Sequence, residues 1–198
     1  MGYSISSLSD DYYENSNCLI NKFDIQNEEQ LATIEASITF AKTSELERTP
    51  INNTFDFEHY KQIHKYLFED LYDWAGKVRI VDISKKGTNF TSAENIESAA
   101  ESCFSRLKNL NYFKNLSFND FVDNIVDFYC STNLLHPFRE GNGRTQRIFI
   151  AQLIRFCGYD INFSEIDPDD LMIATIHSAN GITDFLKDIF TKHIIDKK

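Results

Sequence analysis

One run of twelve residues, His136-Pro137-Phe138-Arg139-Glu140-Gly141-Asn142-Gly143-Arg144-Thr145-Gln146-Arg147, concentrates residue types that can handle phosphate. Gly141 and Gly143 flank Asn142 just ahead of an apolar helical pattern. Small residues there let backbone N–H groups converge on an anion, and the helix N-terminus adds positive potential. Arg144 and Arg147 stand three apart on the same helix face, and two guanidinium forks suit phosphate oxygens. Glu140 places one carboxylate beside this nest, the usual protein share of a Mg²⁺ site completed by substrate phosphates and water. His136 titrates near neutral pH and can take a proton from an attacking hydroxyl. A lone histidine, a lone Gly-x-Gly or two arginines on a helix would each read as ordinary turn or surface chemistry. Their crowding into one string makes phosphoryl or nucleotidyl chemistry the better explanation.

The bulk properties agree. Thirty acidic residues against twenty basic ones leave a formal charge of -10, which repels a nucleic-acid backbone over most of the surface but permits a local cationic cleft. DNA and RNA are therefore not expected as direct partners. The four cysteines, Cys18, Cys103, Cys130 and Cys157, are scattered and form no metal or disulfide framework, as expected of reduced thiols in cytoplasm. No stretch has the length of a membrane span and the N-terminus is polar, so the expected place is the cytoplasm, its own or that of a cell into which it is delivered. His59, His64, His177 and His193 read as structural or exposed. His59 and His64 lack the spacing of a helical zinc pair.

The elements that must position the string are mostly helices. Helical spacing runs from Glu28 to Glu47 and is stopped by Pro50, then again from Phe57 to Trp74, with Gly76 suited to the C-terminal cap. Val78 to Phe90 favours extended structure around a Lys85-Lys86-Gly87 turn, a short β-hairpin. Thr91 with Glu94 has the capping-box pattern before a helix carrying Ile96, Ala100 and Leu107, and Ser117 with Asp120 marks another start. A helix follows the glycines from Arg144 to Cys157. Pro168 after Asp167, and Thr183, open the last two. The expected fold is mainly α, with one short β-hairpin. Residues 1–53 supply a polar segment and a helix, and residues 54–198 a core, as one globular unit.

The twelve-residue string resembles the signature of the Fic domain family, His-x-Phe-x-(Asp/Glu)-Gly-Asn-Gly-Arg-x-x-Arg, and meets every fixed position. Further likeness lies in Tyr72-Asp73-Trp74-Ala75-Gly76-Lys77-Val78-Arg79, in Ile83-Ser84-Lys85 and in Ala179-Asn180-Gly181, so it extends from about Thr54 to Phe190. The resemblance implies a Fic fold, a helical bundle with a short β-hairpin flap beside the active site, and transfer of AMP from Mg-ATP to a Tyr, Ser or Thr hydroxyl of a target protein. His136 would be the base and Glu140 would bind Mg²⁺. Asn142, with the backbone of Gly141 and Gly143, would hold phosphate, and Arg144 and Arg147 would grip the β- and γ-phosphates. Asn180 would lie near the nucleoside, and Met172, Ile173 and Ile176 near the adenine. The hairpin, with Ile83, Ser84, Lys85, Lys86 and Gly87, would be the flap that docks the target backbone.

A phosphorylating relative carries Lys where this chain has Gly143, which favours nucleotidyl transfer over kinase chemistry. Many members carry an inhibitory (Ser/Thr)-x-x-x-Glu-(Gly/Asn) pattern. The nearest match, Thr43 to Glu47, is followed by Arg48, so a separate inhibitory partner, as in toxin–antitoxin members, is the expected restraint. The alternative class is a nucleotide-binding regulatory module without turnover.

Overall fold

The computed structural model describes residues 4, 5, 11–51 and 54–197; residues 1–3 and 6–10 of the polar N-terminal stretch lie outside them, as do 52, 53 and 198. In chain order the elements are β1 (Ser4–Ile5), α1 (Glu28–Arg48), α2 (Phe57–Phe68), β2 (Ile83–Lys85), β3 (Thr88–Asn89), α3 (Ile96–Asn109), α4 (Phe118–Leu135), α5 (Asn142–Phe156), β4 (Tyr159–Asp160), α6 (Pro168–Ala179), α7 (Asp184–His193) and β5 (Ile195–Asp196). The mainly helical expectation holds. Helix α2 packs on α1, α3 and α5, while α4 packs on α3, α5, α6 and α7. The α4-to-α5 turn, which carries the signature string, therefore lies at the centre of the bundle.

Aromatic side chains fill that centre. Phe149 of α5 is fully buried, with ring centroids of Phe55, His59, Tyr60, Phe104 and Phe128 between 5.3 and 5.8 Å away. Offset and edge-on rings at this spacing add to plain area burial. Several caps follow the sequence reading. Ser117 accepts the Asp120 N–H, and Asp167 accepts two N–H groups with Pro168 in the first turn of α6.

Three local expectations change. Helix α2 ends at Phe68, and Leu71 to Gly76 folds back on its flank, burying Leu71 and Tyr72. The apolar stripe thus continues in a turn. Gly76, at φ +78, permits that return because a Cβ there would stand 2.7 Å from Lys65 Cβ. The hairpin is shorter than Val78 to Phe90, with strand pairing only at Ser84↔Asn89 and Lys85↔Thr88. Val78 to Val81 is held irregular by Arg79, whose N–H donates to the Pro137 carbonyl at 2.9 Å and whose Nε donates to the His136 carbonyl at 2.9 Å. Lys86 and Gly87 both have positive φ, the signature of a type I′ turn. The Thr91 capping box does not form. Its hydroxyl and N–H both donate to the Leu134 carbonyl, tying the hairpin's exit to α4, and helix α3 begins after a 3₁₀ turn over Ala93–Asn95.

Strand β1 pairs antiparallel with β2, Ser4 opposite Ser84 and Ile5 opposite Ile83. The β2 edge is therefore already bonded by the chain's own N-terminal strand.

His64 of α2 joins two distant segments. The Gly76 N–H donates to Nδ1 at 2.8 Å, so Nε2 carries the proton and donates to the Glu140 carbonyl at 3.0 Å. The ring stacks on Phe138 at 3.8 Å. Burial pushes its pKa down to about 3, from an ordinary value of 6.5. The unfolded chain therefore binds one more proton between those values. Stability from this neutral ring is complete above pH 6.5 and is lost as pH falls toward 3.

Two outcomes follow for stability. Phe149→Ala should lower the unfolding free energy by roughly 3–5 kcal/mol in urea titrations, and a loss under 1 kcal/mol would contradict the packing described. Between pH 6 and pH 4, unfolding free energy should decline more steeply for the wild-type chain than for His64→Gln, by up to about 1.4 kcal/mol per pH unit. Equal slopes would mean His64 is not a buried neutral ring.

Candidate functional site

Helix α4 terminates at His136, which caps it in the left-handed region at φ 42, ψ 59. That conformation is costly for a residue with a Cβ and must be held by its surroundings. Three contacts hold it. The ring Nδ1 lies 2.9 Å from the Asn133 carbonyl, which can only accept, so the proton sits on Nδ1 and the lone pair on Nε2. The Phe90 ring, from the hairpin's exit, stacks on the imidazole at 3.7 Å with 11° between planes. Arg79 fixes the residue's carbonyl. Burial, together with the charges of Lys85 and Arg79, pushes the His136 pKa down to about 3, so the ring is neutral at pH 7 in the tautomer a base requires.

The following loop is clasped by Asn142. Its Oδ1 accepts the Phe138 N–H and its Nδ2 donates to the Phe138 carbonyl, both at 2.8 Å. The amide expected to hold phosphate is thus committed to shaping the loop. Gly141 sits at φ +77, where a Cβ would lie 2.3 Å from the Phe68 ring. Its N–H donates to the Glu140 carboxylate at 2.9 Å. The first-turn N–H groups of α5, including that of Gly143, have no acceptor within the helix and present donors at the positive end of its dipole.

The two arginines differ. Arg144 Nη2 is 2.5 Å from Glu35 and Nη1 is 3.2 Å from the Thr39 hydroxyl, both on α1, and the guanidinium lies over the Phe68 ring. Arg147 makes no ion pair within 4.0 Å among the described residues, and burial pushes its pKa down.

These groups open onto a cleft of about 460 Å³, within the range of small-molecule sites. One wall is Lys85, Lys86, Thr88 and Phe90; the other is Leu171, Met172, Thr175 and Ile176 of α6; the floor is His136, Glu140, Gly141, Gly143, Arg144 and Arg147. Lys86 spans the mouth to Met172 Sδ. Met172 and Ile176 therefore face the cleft, whereas Ile173 is half exposed and outside its lining. Asn180 is also outside the lining, its amide donating to the Ile176 carbonyl at 3.1 Å. Of the hairpin residues, Lys85 and Lys86 face the cleft, Ile83 is buried, and Ser84 and Gly87 do not line it. Glu140 is the one acid in the lining, and no group of three His, Cys, Asp or Glu among the described residues could hold a metal alone. A divalent cation here would need substrate oxygens, which suits Mg²⁺ carried by a polyphosphate.

Sequence reasoning missed Phe90, Asn133, Glu35 and Thr39. Phe90 and Asn133 adjoin recognised elements, but nothing in residue type or spacing ties Glu35 to an arginine more than a hundred positions away.

Among the described residues no helix is long and apolar enough to cross a membrane. The chain is 36% identical over 178 residues to the protein adenylyltransferase VbhT of Bartonella schoenbuchensis, an alignment covering 90% of this chain but 37% of that protein. It is 31% identical to the probable protein adenylyltransferase Fic of Salmonella typhimurium, across 94% of this chain and 92% of that one. Among solved structures it superposes on the BepC protein of Bartonella tribocorum with bound AMPPNP, with a TM-score of 0.89, 25% identity, and 95% and 97% of the two chains covered. The N-terminal Fic domain of a Bartonella quintana effector with bound ADP aligns with the same TM-score at 28% identity, over 95% of each chain. The profile of the Fic/DOC family matches residues 54–154, and with the signature loop built as described, the chain belongs to that family.

Proposed function

We propose that this chain is a protein adenylyltransferase that moves AMP from ATP to a Tyr, Ser or Thr hydroxyl of a target protein. The observation that carries this reading is the placement, in one cleft, of a neutral His136 with its lone pair on Nε2, the α5 N-terminus and Arg147, which makes no ion pair among the described residues. The polyphosphate lies over the α5 N-terminus, with its terminal phosphates toward the arginines and its base toward Met172 and Ile176. The hydroxyl oxygen attacks the α-phosphorus, its proton passes to His136 Nε2, and the bond to the β-phosphate oxygen breaks to release pyrophosphate. Phosphate charge beside the imidazole favours its protonated form and so offsets the effect of burial as the proton arrives. Glu140 would hold Mg²⁺ together with the phosphates, and the ion would supply charge neutralisation of the leaving group. The relatives named as protein adenylyltransferases support the same chemistry, as do the two structural relatives with bound AMPPNP and ADP.

Three further readings accompany it. A target strand that adds to the hairpin at β2 must displace Ser4–Ile5, which occupy that edge. Restraint comes from a separate inhibitory protein, as in a toxin–antitoxin pair. Glu47 lines a groove with Arg147 between α1 and α5 but makes no ion pair with it among the described residues. The site of action is cytoplasm, its own or a recipient cell's, in keeping with the VirB-translocated effectors among the structural relatives.

The test is label transfer. Protein incubated with lysate and α-³²P-ATP should label a target, and His136→Ala should cut the rate by roughly 10²- to 10⁴-fold while AMPPNP binding persists. Transfer of γ-label instead would make the chain a kinase, and binding with no transfer from any lysate would make it a nucleotide-binding module. Gly141→Ala should abolish both AMPPNP binding and transfer, because neither its left-handed backbone nor the Phe68 ring accommodates a methyl group. Retained tight binding in that variant would remove the loop from the proposed site.

A further inference from the structure

We infer that Glu35, on helix α1 and outside the residues that carry the family match, is a positioning residue that holds the Arg144 guanidinium in register for the β- and γ-phosphates of a bound nucleotide. The inference rests on the nucleotide reading above and adds to it a residue that no part of the signature contains.

Glu35 is itself locked. One carboxylate oxygen accepts from Arg144 Nη2 and the other from the Tyr72 hydroxyl, each at 2.5 Å. Tyr72 is buried and stacked on Trp74 at 4.3 Å, and burial and the neighbouring Glu35 charge raise its pKa, so the phenol remains a donor. Arg144 is restrained on two further sides, by the Thr39 hydroxyl and by the Phe68 ring 4.8 Å below. A flexible guanidinium has many rotamers to lose when it meets phosphate, and fixing it beforehand removes that cost from binding.

An acid beside a phosphate-binding arginine could instead compete with the phosphate. The geometry argues against competition. Glu35 does not line the nucleotide cleft, whereas Arg144 does, so the carboxylate grips the guanidinium from outside the space a ligand would fill. An acid bound at both oxygens also has no ready second position to swing to. The arginines then divide their work. Arg147, with no ion pair among the described residues, supplies positive charge, and Arg144 supplies a fixed donor fork.

Calorimetry with AMPPNP and AMP on the whole chain decides the matter, using wild type, Glu35→Gln, Tyr72→Phe, Arg144→Ala and the double variant Glu35→Gln/Arg144→Ala. Glu35→Gln should weaken AMPPNP binding about tenfold, the worth of one charge-assisted hydrogen bond, and leave AMP binding within about twofold. Tyr72→Phe keeps the ring stack and should weaken AMPPNP by about threefold in the same pattern, which keeps the test alive should Glu35→Gln fail to fold. In the Arg144→Ala background, Glu35→Gln should change nothing further. Unchanged or tighter AMPPNP binding in Glu35→Gln would overturn the proposal, the latter by making the carboxylate a brake. Parallel loss of AMP and AMPPNP, or additive effects in the double variant, would overturn it by making Glu35 a purely structural residue. Wild type that binds AMPPNP but transfers no label would defeat the adenylyltransferase reading alone, since the binding cycle still decides Glu35. Wild type that binds no AMPPNP would defeat both.

Discussion

The turn between α4 and α5 can exist only because nothing but hydrogen occupies the Gly141 side-chain position. The Phe68 ring fills the volume a methyl group would need, and the left-handed backbone bends the chain back so that α5 starts immediately afterwards. Asn142 then closes the loop on Phe138 with two hydrogen bonds, as a short side chain can do when donor and acceptor lie four residues upstream. With the loop fixed, His136, Glu140 and the α5 N-terminus have defined places relative to one another. Preorganised dipoles of this kind need no rearrangement when charge develops beside them.

The rest of the molecule braces that turn from three directions. From α2, His64 donates to the Glu140 carbonyl while accepting from Gly76, so one neutral ring couples the signature loop to the fold-back after α2. From the hairpin's approach, Arg79 holds the carbonyls on either side of Pro137's ring, and Phe90 covers the His136 imidazole. From α1, Glu35 and Thr39 hold Arg144. The hydrogen-bonded braces lie in regions of low exposure, where an unmatched partner would be costly. The hairpin thereby shares its anchoring with His136.

Two of the three buried histidines, His64 and His136, show how environment assigns roles. Both are held neutral by burial, and both donate one ring proton to a carbonyl. His64 has its second nitrogen occupied by Gly76 and serves as a strut. His136 lies at the cleft floor with its second nitrogen in the basic tautomer, which is the condition for accepting a proton.

The order of residue types by itself determined the helices, the presence of a hairpin and the family signature string, because these depend on periodicity and on neighbours a few positions apart. Ser117 and Asp167 could be read as caps for the same reason. Tertiary structure alone decided where α2 stops, since Leu71 and Tyr72 bury equally well in a turn, and how short the hairpin is, since Arg79 finds its acceptors across the fold. It also decided that Asn142 faces its own loop, that Ile173 and Asn180 stand outside the cleft while Met172 and Ile176 enter it, and that among the described residues Arg144 pairs with a carboxylate and Arg147 does not. Those outcomes depend on which side chains meet after packing, and spacing along a chain does not encode a meeting between α1 and α5.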